Sequence, residues 1–147
     1  AEVDFDELVK AHLNDFQVLN TSRTVTTAIP DDCFVQGSRD HLSRLIQNCL
    51  SNILRHTPSD APVSVSLRNI GKRAELRIED GGPGLPDSAY GSEIKFMNRF
   101  DPSRSRESGG SGLGLSIIAA IVQEHNGELE LSKSQLGGLA VIIRIPN

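Results

Sequence analysis

The chain has no tryptophan, one tyrosine, one methionine and two cysteines in 147 residues. Two cysteines without metal-ligand spacing exclude a disulfide framework and a zinc knuckle. Cys49 falls on an apolar helical stripe and Cys33 in a short strand-like run, so both read as buried thiols suited to a reducing compartment. No apolar run approaches the ~18 residues of a membrane span, and no signal peptide stands at the start. Basic residues are also short: 15 Lys and Arg against 19 Asp and Glu leave a net charge of −4. That balance argues against a nucleic-acid partner, which calls for a basic stripe. It does not argue against a single nucleotide, for which a few local donors suffice. A chain of this length is one domain, residues 1–147, able to bury roughly 68–70% of the surface its unfolded form exposes. It starts without an initiator methionine and reads as a piece of a longer protein.

What is present is regular at both ends and irregular in between. Phe5, Leu8, Val9, Leu13 and Phe16 follow helical spacing, which predicts a helix over residues 5–19. Residues 23–29 and 33–36 read as short strands either side of a turn at Pro30, Asp31 and Asp32. Ser38 is a candidate N-cap for a helix running to His56 and stopped by Thr57 and Pro58. Val63, Val65 and Leu67 alternate, as do Ala74, Leu76 and Ile78, around a turn containing Gly71. A third helix is expected over residues 113–125 with Ile117, Ile118, Ile121 and Val122 on its core face. Two further strands are expected at residues 128–132 and 139–145, about a turn at Gly137 and Gly138. Between Gly81 and Gly114 periodicity fails, and eight of the thirteen glycines fall there. This order implies an α+β, two-layer sandwich: a mixed, mostly antiparallel sheet of about five strands with three helices on one face.

Three segments carry chemistry. On the second helix Arg44, Asn48, Asn52 and Arg55 line a polar face beside the apolar one. Asn48 and Asn52 stack one turn apart, and neutral amide oxygens suit Mg²⁺, which takes few protein ligands beside substrate phosphates. Arg55 beside them can neutralise a terminal phosphate. Next, Asp80-Gly81-Gly82-Pro83-Gly84-Leu85 follows an apolar strand. The Asp80 carboxylate can accept a hydrogen bond from an exocyclic amine such as the N6 group of adenine, and Gly82 and Gly84 allow close approach to the backbone. Third, the glycine-rich run from Ser108 through Gly110, Gly112, Leu113 and Gly114 opens an amphipathic helix, where successive backbone N–H groups make an anion site. It is neither a Walker A motif nor a Rossmann fingerprint. Alone, each segment has a plainer reading: a solvated helix face, a capped turn, a flexible linker. In this order the three are far more specific.

The sequence resembles the GHKL (Bergerat) ATP-binding fold, and most closely the catalytic ATP-binding domain of bacterial sensor histidine kinases. Arg44-Leu45-Ile46-Gln47-Asn48-Cys49-Leu50-Ser51-Asn52 with Arg55-His56-Thr57-Pro58 resembles that family's N box. Asp80-Gly81-Gly82-Pro83-Gly84 resembles its first glycine box, Phe96-Met97-Asn98-Arg99-Phe100 its F box, and residues 110–115 its second glycine box. The resemblance implies that Asn52 ligates Mg²⁺ and that Asn48 helps place the metal and the γ-phosphate. Arg55 would contact phosphate, and His56 would pack on the nucleotide where the family usually has another aromatic. Asp80 would bond adenine N6 in a pocket shaped by Gly82, Gly84 and Leu85. Gly110, Gly112, Leu113 and Gly114 would cradle phosphates, and residues 86–110 would form a lid carrying Arg99, Arg104 and Arg106. Asn48, Arg55 and Arg104 would act on the transferred group.

The function so implied is donation of the γ-phosphoryl group of Mg-ATP to a histidine on a separate dimerisation domain, in two-component signalling through a response regulator. It implies a cytoplasmic domain of a membrane-anchored sensor, without membrane contact of its own. None of His12, His41, His56 and His125 has a phosphoacceptor context; His125 reads as a helix C-terminal cap, and His12 and His41 as surface residues. Three alternatives share the pocket: an ATPase of gyrase, mismatch-repair or chaperone type, an anti-sigma-factor serine kinase, and a non-catalytic nucleotide-binding module. The first would carry a glutamate base where this chain has Asn48, whose amide accepts no proton at neutral pH.

Overall fold

The computed structural model describes residues 1–84 and 111–147, the side chains of residues 111–114 excepted. Strand β1 (Glu2–Asp4) leads directly into helix α1 (Phe5–Leu19). The Asp4 side chain caps that helix by accepting from the Glu7 N–H, and Asp6 and Glu7 add negative charge to its first turn, where the helix dipole favours it. Strands β2 (Val25–Ala28) and β3 (Phe34–Gln36) precede helix α2 (Arg39–His56). Ser38 is its N-cap, its hydroxyl accepting from the His41 N–H. The helix stops at Thr57, which is extended (φ −130°, ψ 152°), as a residue before proline is driven to be.

Strands β4 (Val63–Ile70) and β5 (Arg73–Asp80) form a hairpin whose two-residue turn begins with Gly71 at φ +59°, the left-handed conformation such turns require. Helix α3 (Ser111–Glu124) and strands β6 (Glu128–Lys133) and β7 (Leu139–Pro146) complete the chain. The main sheet has the order β2-β4-β5-β7-β6, parallel at β2–β4 and antiparallel elsewhere. Alternate residues of its inner face (Val65, Leu76, Ile143 and Leu129 among them) join the apolar faces of the three helices in one core. Each fully buried Leu, Ile or Phe there contributes about 1.5–3 kcal/mol, so this interface dominates stability.

The expected two-layer α+β arrangement with a mixed five-stranded sheet holds. Several details differ. β1, unmarked by any pattern in the sequence, pairs with β3 in a separate two-stranded sheet. β2 is shorter than residues 23–29: the Arg23 N–H turns back to the Asn20 carbonyl (3.2 Å), while its buried guanidinium (8% exposed) bonds Thr57 Oγ1 (2.9 Å) and the Ala61 carbonyl (3.1 Å). α3 begins at Ser111, so the expected glycines form its first turn. Ile117 does not face the core but is 41% exposed, and Leu115 and Ala119 fill the inward face with Ile118 and Val122. Both cysteines are buried, which pushes the Cys33 thiol up to about 11 and that of Cys49 up to about 12.

His125 ties α3 to α2. Its ring is buried, Nδ1 donates to the Ile121 carbonyl (2.7 Å) and Nε2 accepts from the Ser38 N–H (3.1 Å), which fixes the tautomer with the proton on Nδ1. Any side chain at Gly37 would collide with the imidazole. The expected role at the helix end is met, and the same ring also holds the start of α2. His41 is exposed and pairs with Glu124. His12 is not a free surface residue: it is half-buried, bonded to Ser43 Oγ at 2.7 Å, and burial lowers its pKa.

The outer face of the sheet carries an ion ladder in which Arg68, Glu75, Arg144 and Glu128 are successive cross-strand neighbours. Glu75 is 5% exposed and accepts from Arg68 Nε (3.0 Å) and Arg144 Nε (2.9 Å). Burial pushes its carboxyl up, but the bonds from Arg144 and Arg68 outweigh that and hold it below the ordinary glutamate range. A depressed folded-state value stabilises the fold above the unfolded pKa of about 4.3, and that contribution is lost as pH falls through the folded value. Glu75→Ala is therefore expected to cost about 1.5–3 kcal/mol near neutrality. In chemical denaturation from pH 7 to pH 3, wild type should lose more stability than the variant. Parallel pH curves would contradict this account of the ladder.

Candidate functional site

The C-terminal half of α2, the exit of β5, α3 at Leu115 and the start of β7 converge on a cavity of about 170 Å³. Its walls are apolar, from Ile53, Ile78, Leu115, Leu139 and Val141, with Asn52, His56 and Asp80 as polar groups. A concave, apolar-walled cavity with a few polar groups is the usual form of a small-molecule site.

Asp80 ends β5 and is 7% exposed. Its Oδ1 accepts from two backbone N–H groups, Gly82 at 2.9 Å and Leu139 at 3.3 Å. Among the described residues its Oδ2 carries no hydrogen bond. The carboxylate is held on one side and offers an acceptor on the other. Asn52, half-buried on the cavity wall, likewise makes no hydrogen bond among the described residues. His56 Nε2 is buried without a partner there. A buried polar atom without a partner costs about 1–3 kcal/mol, and this one belongs to a residue of the cavity wall on which Asn52 and Asp80 also stand.

The end of α2 is fixed from behind. Thr57 Oγ1 donates to the Ile53 carbonyl at 2.6 Å and accepts from Arg23 at 2.9 Å. At Gly82 the group that approaches the backbone is Thr57: an added Cβ would lie 2.5 Å from its Cγ2. Gly84 takes φ +74°, a conformation that favours glycine, and lines the cavity.

The structure does not gather every expected residue at this cavity. Asn52, His56, Asp80 and Gly84 line it; Asn48, Arg55 and Gly82 do not. Arg55 is exposed on an adjoining shallow depression with His56, Thr57, Gly82 and Pro83. Asn48 turns its amide nitrogen back onto the Arg44 carbonyl (2.8 Å). Gly112, Leu113 and Gly114 occupy the first turn of α3, where the opening N–H groups have no partner within the helix. Leu85, Gly110, Arg104 and the rest of residues 86–110 expected to form a lid lie outside the described residues. Sequence reasoning missed Arg23, Thr57 and Gly138. Thr57 read only as part of a helix stop, and Gly138 only as half of a turn.

The family described as Histidine kinase-, DNA gyrase B-, and HSP90-like ATPase matches residues 37–147. The chain belongs to that family. Its match begins just before α2 and takes in every group named on the cavity walls. Among curated relatives, the signal transduction histidine-protein kinase BaeS of Escherichia coli (strain K12) is 37% identical over 119 residues, 81% of this chain and 26% of its own. The sensor-like histidine kinase SenX3 of Mycolicibacterium smegmatis is 31% identical over 146 residues, 98% of this chain and 38% of its own. This ATPase-family domain thus spans well under half the length of either relative. Among solved structures, a mycobacterial sensor histidine kinase, MprB, superposes with a TM-score of 0.80 at 29% identity, over 99% of this chain and 96% of that one. Residues 1–36, outside the family match, are therefore covered by the structural one. No helix among the described residues is long and apolar enough to cross a membrane.

Proposed function

We propose that this domain binds Mg-ATP and donates its γ-phosphoryl group to a histidine on a separate dimerisation domain of a sensor kinase, which then passes the phosphoryl group to a response regulator. The observation that carries the reading is Asp80 on the wall of an apolar cavity, with Oδ1 held by two backbone donors and Oδ2 without a hydrogen bond among the described residues. An acceptor so placed suits an exocyclic amine on a flat ring, and adenine presents one. His56 and the aliphatic walls cover the ring faces. From there the phosphates extend toward the first turn of α3, whose N–H groups of Gly112, Leu113 and Gly114 suit an anion. Arg55 is exposed beside the cavity and free to meet terminal phosphate charge.

The residues fit a magnesium ion. Asn52 brings an uncommitted neutral amide to the cavity, and the amide oxygen of Asn48 carries no hydrogen bond among the described residues. Mg²⁺ usually takes one or two protein ligands and completes its shell with phosphate and water. When bound it neutralises phosphate charge during transfer. Transfer rather than hydrolysis is supported by Asn48, which supplies no base for water, and by relatives named as histidine kinases. Placement as the cytoplasmic part of a membrane-anchored sensor belongs to the same proposal.

Calorimetric titration tests the reading. ATP should bind in excess Mg²⁺ and more weakly in EDTA, with the difference abolished when adenosine replaces ATP. Absence of ATP binding under both conditions would overturn the proposal.

A further inference from the structure

We infer that the turn joining β6 to β7 is a positioning element for base selection, and that Gly138 is the residue on which it depends. The inference rests on the reading of Asp80 as the acceptor for the base. β5 and β7 pair up to Glu79 and Ala140. Beyond that pair the contact continues through the turn: the Gly138 N–H donates to the Asp80 carbonyl at 3.1 Å, and the Leu139 N–H to Asp80 Oδ1 at 3.3 Å. The first residue of β7, set in place by the turn, thus supplies one of the two donors that stop the carboxylate rotating.

Gly137, at φ +106°, meets the conformational demand of the turn. Gly138 has no positive φ to accommodate, and its missing side chain serves proximity instead. A Cβ there would lie 2.7 Å from both the Asp80 carbonyl oxygen and the Gly82 nitrogen, and would collide outright with Oδ1. The turn is pinned on the other side by Ser134, which is 8% exposed. Its hydroxyl donates to Glu79 Oε1 (3.1 Å) and accepts from the Leu136 N–H (3.0 Å), while its own N–H donates to the Gly138 carbonyl (2.8 Å). Glu79 and Asp80 are therefore both held from one short stretch of chain distant from them in sequence, and Gly82 is held in turn by the Asp80 carboxylate.

Discrimination between purines needs the acceptor at a fixed point. Adenine offers an amine where guanine offers a carbonyl oxygen, which a fixed carboxylate repels. A carboxylate displaced or free to turn would lose the amine bond and relax the repulsion together. Gly138 is a positioning residue in this sense: it acts through Asp80 and touches no ligand.

The experiment measures Kd for ATP, GTP and inorganic tripolyphosphate, all with Mg²⁺, in wild type, Gly138→Ala, Ser134→Ala, Asp80→Asn and the double variant Asp80→Asn/Gly138→Ala. Gly138→Ala should weaken ATP by about tenfold or more and leave tripolyphosphate within about twofold, so that the ATP-over-GTP preference collapses. In the Asp80→Asn background it should cost nothing further, since the group it positions is gone. Ser134→Ala adds no atom and should reduce the preference in the same direction by a smaller factor; it decides the matter alone if Gly138→Ala does not fold. A wild type without preference for ATP would overturn the reading of Asp80 and this inference with it. A wild type that prefers ATP, with the preference retained in both single variants or with additive losses in the double variant, would overturn the inference and leave Asp80 standing.

Discussion

Asp80→Asn is expected to weaken ATP and ADP alike, by roughly 10–150-fold, the equivalent of about 1.5–3 kcal/mol for a hydrogen bond to a charged group. The direction follows from how the carboxylate is held. Oδ1 faces the N–H groups of Gly82 and Leu139, so an asparagine must turn its oxygen to those donors. Its NH₂ group then faces the ligand's own amine, and two donors meet. The loss should be the same for both nucleotides because they present the same base, and it should not depend on Mg²⁺. Fluorescence or calorimetric titration of the two ligands reads this directly. Undiminished affinity for both would remove Asp80 from the site.

Asn52→Asp is expected to have the other large effect, on the transfer step. Asn52 makes no hydrogen bond among the described residues, so its replacement should barely alter thermal unfolding. It stands on the cavity wall, and a carboxylate there adds a negative charge beside the phosphates and changes the ligand offered to magnesium. Loss of one oriented group from a transition-state site costs about 10²–10³-fold in rate, and transfer to a supplied dimerisation domain should fall at least that far. Transfer at the wild-type rate by a folded variant would show that Asn52 does not hold the metal.

The parts of this molecule that were legible in the sequence are those with long, one-sided patterns. α2 announces itself by Leu42, Leu45, Ile46, Cys49 and Ile53 on one stripe, by Ser38 at its start and by Pro58 after its end. The β4–β5 hairpin is equally clear, because alternation over eight-residue strands leaves one face for the core. β1 has three residues and cannot display a period; it exists because β3 lies beside it. Ile117 misleads because α3 is apolar nearly all round, so hydrophobicity alone does not choose its inner face. On the cavity wall, Asn52 and Asp80 were legible as candidates because their chemistry and motif spacing coincide. Arg23 and Gly138 were not, for a shared reason. Each acts on a residue far away in the chain, Arg23 on Thr57 and Gly138 on Asp80, and no local pattern encodes such a contact. A glycine needed for proximity looks, in sequence, like a glycine needed for a turn.

The most direct test of the account is incubation of the wild-type domain with γ-labelled ATP and Mg²⁺, alone and with a cognate dimerisation domain. Alone, the domain should remain unlabelled and hydrolyse ATP slowly, since position 48 holds an amide. Its own His125 is committed on both nitrogens, to Ile121 and Ser38. With the partner present, label should appear on the partner as an acid-labile, base-stable phosphohistidine. Tethering the two should raise the rate through effective concentration, with the affinity for ATP unchanged. Brisk hydrolysis by the domain alone, with no label on any partner histidine, would contradict the account and identify a hydrolase instead.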